Sequence, residues 1–230
     1  MIERRYALTR TPLRKRILPS YTKGEEIFNT VSHIAGGGLG VAMAALCVVF
    51  SAIHRDAWAV VGSSIYGAAL ILLYTASSIY HGLRPGMAKK VFQVIDHCTI
   101  YFLIAGTYTP ILFCSIRRES SAWGWTIFGL VWSLAFFAAT MTAIDLKKYK
   151  VLSMICYIGM GWCIVFAAKT AIAAIPLPGL IWLLAGGVAY TVGAVLYGVG
   201  KKVRYMHSVF HLFVVAGSLC HFVCIFFYVI

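Results

Sequence analysis

Hydrophobic residues occur along this chain in seven long runs, which short polar segments separate. A helix rises about 1.5 Å per residue and the hydrocarbon core of a bilayer is about 30 Å thick, so about 20 apolar residues are needed for one crossing. Each run has about this length. The runs predict transmembrane helices over residues 29–51, 57–80, 91–114, 123–144, 151–173, 179–199 and 207–229.

This pattern predicts an all-α fold, in which a bundle of seven transmembrane helices at residues 29–230 follows a basic arm at residues 1–28. Composition agrees, because only 12% of the residues are charged and the mean hydropathy is +0.85, whereas about 25% is usual in soluble domains. The first 23 residues lack the apolar region and cleavage site of a secretory signal. We therefore expect a multi-pass protein of the inner (plasma) membrane of the cell.

Basic residues give the chain a formal net charge of +13, but they do not form one patch with interleaved aromatic residues, which argues against nucleic-acid binding. Sixteen of the 20 lie in the arm and in the second, fourth and sixth connections, and four lie on the other side. The sixteen are Arg4, Arg5, Arg10, Arg14, Lys15, Arg16, Lys23, Arg84, Lys89, Lys90, Lys147, Lys148, Lys150, Lys201, Lys202 and Arg204, and the four are Arg55, Arg117, Arg118 and Lys169. The positive-inside rule predicts a cytoplasmic N-terminus and an external C-terminus. The arm is expected to contact anionic lipid headgroups of the inner leaflet.

Ionisable residues inside the predicted helices need an explanation, because a charge near the centre of a bilayer costs about 2.5–3.5 kcal/mol on insertion scales. Asp96 is the only acidic residue well inside a predicted helix. Five of the seven histidines are predicted at one level near the cytoplasmic surface, and His54 and His221 lie elsewhere. The five are His33, His81, His97, His207 and His211.

The spacing of these polar residues places several of them on common helix faces. Residues four apart lie on one face of a helix, and so do residues at i, i+3 and i+7. The sets with this spacing are Glu26, Asn29 and His33; Ser77 and His81; and His207 and His211.

Three imidazoles, from His81, His207 and His211, would leave the fourth position of a tetrahedral zinc ion (Zn²⁺) open for water, as in catalytic sites. Asp96 could then act as the general base, and Ser77 could orient a ligand or stabilise an oxyanion. This arrangement suggests hydrolysis of a lipid amide or ester. The alternative is that the buried histidines only form hydrogen bonds with neighbouring helices.

The same motifs resemble the hemolysin III proteins, the bacterial branch of the progestin and adiponectin receptor (PAQR) family, which is related to the alkaline ceramidases. They are Glu26-x2-Asn29-x3-His33, Ser77-x3-His81 followed by Asp96, and His207-x3-His211. The resemblance implies a seven-helix fold with a cytoplasmic N-terminus, zinc bound by the residues matching His81, His207 and His211, and Asp96 in contact with the zinc-bound water. Activities associated with such relatives are ceramide hydrolysis, receptor signalling, membrane-lipid homeostasis and cytolysis, so the resemblance implies one of these for this chain.

The leading hypothesis is therefore a zinc-dependent, ceramidase-like hydrolase, or a sensor derived from one, that acts on an acyl lipid of the inner leaflet. Glu26, Asn29, His33 and His97 form a predicted supporting polar cluster around its site. The alternatives are a non-enzymatic membrane regulator or receptor with a structural zinc ion, and a pore-forming cytolysin. The sequence indicates no specific protein partner, and it has no sizeable soluble domain for binding a protein hormone.

Overall fold

The computed structural model describes residues 10–54, 56–199 and 203–230. Within those ranges the chain forms seven long helices and no strand. All seven are long and apolar enough to cross a membrane. They are α1 (Lys23–Ile53), α2 (Ala57–Gly82), α3 (Met87–Glu119), α4 (Ser121–Ile144), α5 (Lys150–Ala174), α6 (Leu177–Val199) and α7 (Met206–Tyr228). The prediction of an all-α seven-helix membrane bundle is confirmed.

Helix α1 begins at Lys23, earlier than the apolar run that starts at residue 29, because a capping box fixes its first turn. The hydroxyl of Thr22 accepts a hydrogen bond from the backbone N–H of Glu25, and the Glu25 carboxylate accepts one from the backbone N–H of Thr22. These bonds satisfy N–H groups that a helix start would otherwise leave unpaired. Because this first turn consists of polar residues and glycine, the hydrophobic pattern does not reveal it.

Helix α5 changes its winding inside the membrane, where Cys163–Ala167 form a 3₁₀ segment. The hydroxyl of Tyr108 donates to the carbonyl of Gly161 at 2.9 Å and accepts from the backbone N–H of Ile164 at 3.0 Å. A side chain of α3 thus satisfies backbone groups that would otherwise be unpaired in lipid. This irregular stretch lines the internal cavity described below.

Helix α3 is the most buried of the seven, and it packs against α2, α4 and α5. Helix α1 packs against α2 and α7, so that α1, α2 and α7 meet along one side of the bundle. A Cβ atom on Gly36 would lie 2.5 Å from the ring of Tyr74, so only glycine permits this approach of α1 to α2. The contact places His33 edge-on against the Tyr74 ring, with 5.2 Å between ring centroids.

We define the N-terminal face as the end of the bundle at which α1, α3, α5 and α7 begin and α2, α4 and α6 end. The sequence predicts that this face is cytoplasmic, and that orientation stays a prediction, as does the domain boundary at residue 28. Five basic residues used in the charge comparison lie outside the described part of the chain. They are Arg4, Arg5, Arg55, Lys201 and Lys202.

Candidate metal centre

Three histidine rings from two helices converge at the N-terminal face. His81 lies in the last turn of α2, and His207 and His211 lie in the first turns of α7. The Nε2 atom of His207 is 3.3 Å from Nε2 of His81 and 3.0 Å from Nε2 of His211. The rings of His81 and His211 are almost completely buried. One potential ligand atom from each ring lies within 4.8 Å of the other two, so the cluster could hold a metal ion.

The start of α7 is fixed by a contact with the start of α1. Tyr205, which precedes α7, has a left-handed backbone with φ of 59°, the only positive φ at a non-glycine residue in the described ranges. Its backbone N–H donates to the Glu25 carboxylate at 2.8 Å. A bulky residue rarely adopts this conformation without support from its surroundings. The contact with Glu25 therefore helps to fix the direction in which α7 starts, and with it the position of His207.

Glu26 determines which nitrogen of His81 faces the other two rings. One oxygen of its carboxylate lies 2.7 Å from Nδ1 of His81, and the other lies 2.9 Å from the ammonium group of Lys89. A carboxylate only accepts, so Nδ1 of His81 carries a proton, and in the neutral ring the lone pair is then on Nε2. Metal-binding histidines almost always donate from the second ring nitrogen, to a carboxylate, a backbone carbonyl or a water molecule.

The three converging nitrogens fit a tetrahedral cation. Three Nε2 atoms this close to one another are unfavourable unless a proton or a cation lies among them. Zn–N bonds of 2.0–2.1 Å in tetrahedral geometry separate ligand nitrogens by about 3.3–3.4 Å, close to the 3.3 and 3.0 Å seen here. The Nδ1 atoms of His207 and His211 are buried and have no hydrogen-bond partner among the described residues. For these two rings no carboxylate partner like Glu26 is found there.

Asp96 and Ser77 line an internal cavity together with His207 and His211. The centre of a water molecule can occupy about 150 Å³ of this cavity. From the imidazoles the cavity runs between α3, α5, α6 and α7 to His221 in the outer part of α7, and most of its walls are apolar. Apolar residues along it include Leu103, Ile104, Ile158, Leu183, Phe210 and Val214. An apolar chain attached to a polar group at the imidazole end fits such a shape.

The remaining members of the predicted polar cluster lie at different distances from the three imidazoles. The ring of His33 stacks on that of His211 with 3.8 Å between centroids, and the side-chain nitrogen of Asn29 lies 3.4 Å from Nδ1 of His81. His97 lines the same cavity, but its nitrogens have other neighbours: Nδ1 lies 2.8 Å from the carbonyl of Gln93 and 3.6 Å from the Asp96 carboxylate, and Nε2 lies 3.1 Å from the hydroxyl of Tyr197.

Two residues next to the centre were not predicted from the sequence. The Tyr21 ring stacks on that of His207 at 5.0 Å and covers the centre on the N-terminal face. Burial raises the pKa of its phenol, so it stays protonated at neutral pH. The sequence predicts Lys89 in the connection before α3, but it lies in α3, is 3% exposed and pairs with Glu26. The capping box at Thr22 is a sequence signal for the position of Tyr21, since it fixes where the arm joins α1.

Comparison with known proteins decides the family. A family model described as "Haemolysin-III related" matches residues 21–222. The chain belongs to this family. It is 36% identical to "Hemolysin-3" of Bacillus cereus over 206 residues, which cover 90% of this chain and 92% of the relative. It is 35% identical to the "Hemolysin-3 homolog" of Bacillus subtilis (strain 168) over 208 residues, 90% of this chain and 96% of the relative.

A more distant human relative of this haemolysin-III-related chain is "Monocyte to macrophage differentiation factor", 28% identical over 183 residues, which cover 75% of this chain and 74% of the relative. This match supports the predicted relation to the PAQR family. The family model begins at Tyr21, the residue that covers the histidine cluster, so the arm before Tyr21 lies outside it. The chain is thus a multi-pass cell membrane protein of the haemolysin-III-related family.

Proposed function

We propose that this protein is a zinc-dependent membrane hydrolase that cleaves the amide or ester bond of an acyl lipid. The observation that carries the proposal is the convergence of three Nε2 atoms at one end of an apolar cavity that also contains a carboxylate and a hydroxyl. His81, His207 and His211 would hold the ion. Zinc supplies Lewis acidity, which polarises a carbonyl oxygen and lowers the pKa of water toward about 7.

The residues around the imidazoles supply the other functions that hydrolysis needs. The cavity binds the acyl chain and excludes bulk water, so the carbonyl carbon is held beside the polar end. Asp96 accepts a proton as water attacks this carbon, and it returns the proton to the amine or alcohol as the bond to carbon breaks. The hydroxyl of Ser77 donates a hydrogen bond to the oxygen on which negative charge develops. The products are a fatty acid and an amine or alcohol.

The polar end of the cavity lies at the predicted cytoplasmic face, which supports a lipid of the inner leaflet as the substrate. A ceramide has an amide-linked acyl chain and a polar headgroup, so its amide can reach the imidazoles while the chain extends toward His221. A conducting pore would need polar residues across the whole depth of the membrane. The mostly apolar walls of the cavity favour lipid binding over that alternative.

Hydrolysis of a panel of short-chain ceramides and acyl esters by the purified, zinc-loaded protein tests this proposal. We expect Asp96→Asn to lower turnover by about 10²–10⁴-fold, the usual contribution of a general base, with zinc content unchanged. Asp56→Asn is the matched control, because Asp56 caps α2 and pairs with the exposed Arg118 at the opposite face, and asparagine caps a helix equally well.

Two results would count against a hydrolase. In the first, the wild-type protein cleaves none of the panel. In the second, Asp96→Asn cleaves the panel at the wild-type rate. If His207→Ala then lowers thermal stability while Asp96→Asn changes nothing, the regulator with a structural zinc ion becomes the better account.

A further inference from the structure

The described part of the basic arm before α1, residues 10–22, docks on the N-terminal face through three hydrogen bonds. The backbone N–H of Thr11 donates to the Asp145 carboxylate at 2.7 Å, and the ammonium group of Lys90 donates to the carbonyl of Arg14 at 2.7 Å. The guanidinium of Arg16 donates to the carbonyl of Ile144 at 3.2 Å. The arm is therefore held between the first turn of α3 and the connection from α4 to α5.

Arg16 is a buried charge whose hydrogen-bonding capacity is mostly unused. The residue is 7% exposed, and its Nε and Nη1 atoms have no hydrogen-bond partner anywhere in the described ranges. A guanidinium has five N–H donors and stays charged at any physiological pH. A buried charge without a partner is costly. The arrangement therefore calls for an anionic acceptor that the described part of the chain does not provide.

Asp145 directly follows Ile144, but among the described residues it forms no ion pair with Arg16 within 4 Å. One of its oxygens accepts from Thr11, and the other accepts from the backbone N–H groups of Lys147 and Lys148 at 3.1 Å each. Its carboxylate is therefore used to hold the arm and the connection in place. Among the described residues, the other charged side chains of the arm segment 10–22, of the first turn of α3 and of this connection are basic. They are Arg10, Arg14, Lys15, Lys89, Lys90, Lys147, Lys148 and Lys150.

The position of this basic cluster indicates a lipid. Ile144 is the last residue of the membrane helix α4, so Arg16 lies at the end of a membrane-spanning segment, where lipid headgroups are found. Two large apolar side chains flank the cluster and are exposed: Ile17, which follows Arg16, is 91% exposed, and Val151 at the start of α5 is 71% exposed. A ligand with an anionic head and apolar chains satisfies both features, whereas inorganic phosphate satisfies only one.

We propose that Arg16, together with the basic side chains around the docked arm, binds the phosphodiester headgroup of an anionic phospholipid. The fork of the guanidinium suits the phosphate oxygens, which would accept from its unused N–H groups. Ile17 and Val151 would contact the acyl chains of the same lipid. This site is separate from the histidine cluster, so the proposal does not depend on the proposed function.

Binding of short-chain phosphatidylglycerol and phosphatidylcholine to the full-length, detergent-solubilised protein tests this site, with native mass spectrometry to count bound lipids. We expect the wild-type protein to prefer phosphatidylglycerol by about tenfold, since charge-assisted bonds to phosphate are strong. Arg16→Gln should remove most of this preference. Arg16→Lys should retain part of it, because lysine keeps the charge but loses the fork.

Arg84→Gln is the matched control, because Arg84 is exposed in the connection between α2 and α3 on the same face and carries the same charge. It should bind phosphatidylglycerol like the wild-type protein. The proposal is overturned if the wild-type protein shows no preference between the two lipids, a result that needs no variant to fold. It is also overturned if Arg16→Gln and Arg84→Gln lose equal affinity, which indicates diffuse attraction, or if inorganic phosphate displaces the lipid at equal concentration.

Discussion

Replacing Glu26 by glutamine removes the negative charge next to His81 and keeps the size of the side chain. The carboxylate lies 2.7 Å from Nδ1 of His81 and 2.9 Å from the ammonium group of Lys89. In the proposed centre this carboxylate would make His81 a better ligand, because it places a proton on Nδ1 and would make Nε2 a stronger donor to the ion. Loss of such a partner usually lowers metal affinity by about 10–100-fold, or about 1.4–2.7 kcal/mol. We expect a decrease of this size in zinc affinity for Glu26→Gln.

The same substitution should also lower stability without zinc, because it leaves the ammonium group of Lys89 without its anionic partner. Removing one member of a fully buried pair costs about 3–5 kcal/mol. The Glu26 side chain is 21% exposed, so we expect a smaller loss. Lys89 also donates to the carbonyl oxygens of His81 and Leu83, and these bonds can remain in Glu26→Gln. Comparing the zinc-free stability of Glu26→Gln with its zinc affinity separates the effect on the fold from the effect on the metal centre.

Zinc affinity is measured by competition with a chromogenic chelator, and stability by thermal unfolding in detergent. Glu119→Gln serves as the control, since Glu119 is exposed at the end of α3 opposite the N-terminal face. It should match the wild-type protein in both measurements. If Glu26→Gln binds zinc as tightly as the wild-type protein, the role assigned to the carboxylate is wrong.

Three further predictions concern Tyr21, Gly186 and Asp145. Tyr21→Ala should let a chelator remove zinc faster, because the ring that covers the centre is gone, and an unchanged release rate would argue against this role. Gly186→Ala should destabilise the protein by about 1–3 kcal/mol, since a Cβ there would lie 2.2 Å from the His221 ring. Gly38→Ala is the control and should leave stability unchanged, because a Cβ on Gly38 would have nothing within 4 Å. Equal shifts of the melting temperature in the two variants would contradict this packing. Burial raises the pKa of Asp145, but hydrogen bonds from backbone N–H groups outweigh this and lower it from 3.8 to about 2. The stabilisation that the docked arm gains from ionised Asp145 should therefore be fully present above about pH 4 and lost as pH falls toward 2. Release of a spin-labelled arm between pH 5 and 8 would contradict this.

The sequence predicted the fold well because a bilayer imposes a fixed length and strong hydrophobicity on every crossing. The depth of the polar residues also followed from their distance to the helix ends, and the i, i+4 spacing of His207 and His211 was enough to place them on one face. Helix ends were less accurate, since the polar first turn of α1 depends on the capping box at Thr22 and not on hydrophobicity.

Contacts between distant parts of the chain were not predictable in the same way. His97 lies at the predicted depth, but a one-residue step from Asp96 rotates it by about 100° around the helix, and it lies against Tyr197 of α6. The hydrophobic pattern does not show that Nε2 of His97 meets the hydroxyl of Tyr197 and not the other imidazoles. The pairing of Lys89 with Glu26 and the stacking of Tyr21 on His207 depend in the same way on the packing of separate helices.

The most direct test of the metal centre is elemental analysis of purified protein for zinc. The wild-type protein should contain about one zinc ion per chain, since three protein ligands suffice for a catalytic-type site. Alanine at His81, His207 or His211 should reduce zinc to a small fraction of this amount, and His54→Ala, in an exposed position at the end of α1, should retain it. A wild-type protein without zinc under conditions that preserve bound metal, or full zinc content in all three variants, would contradict the account.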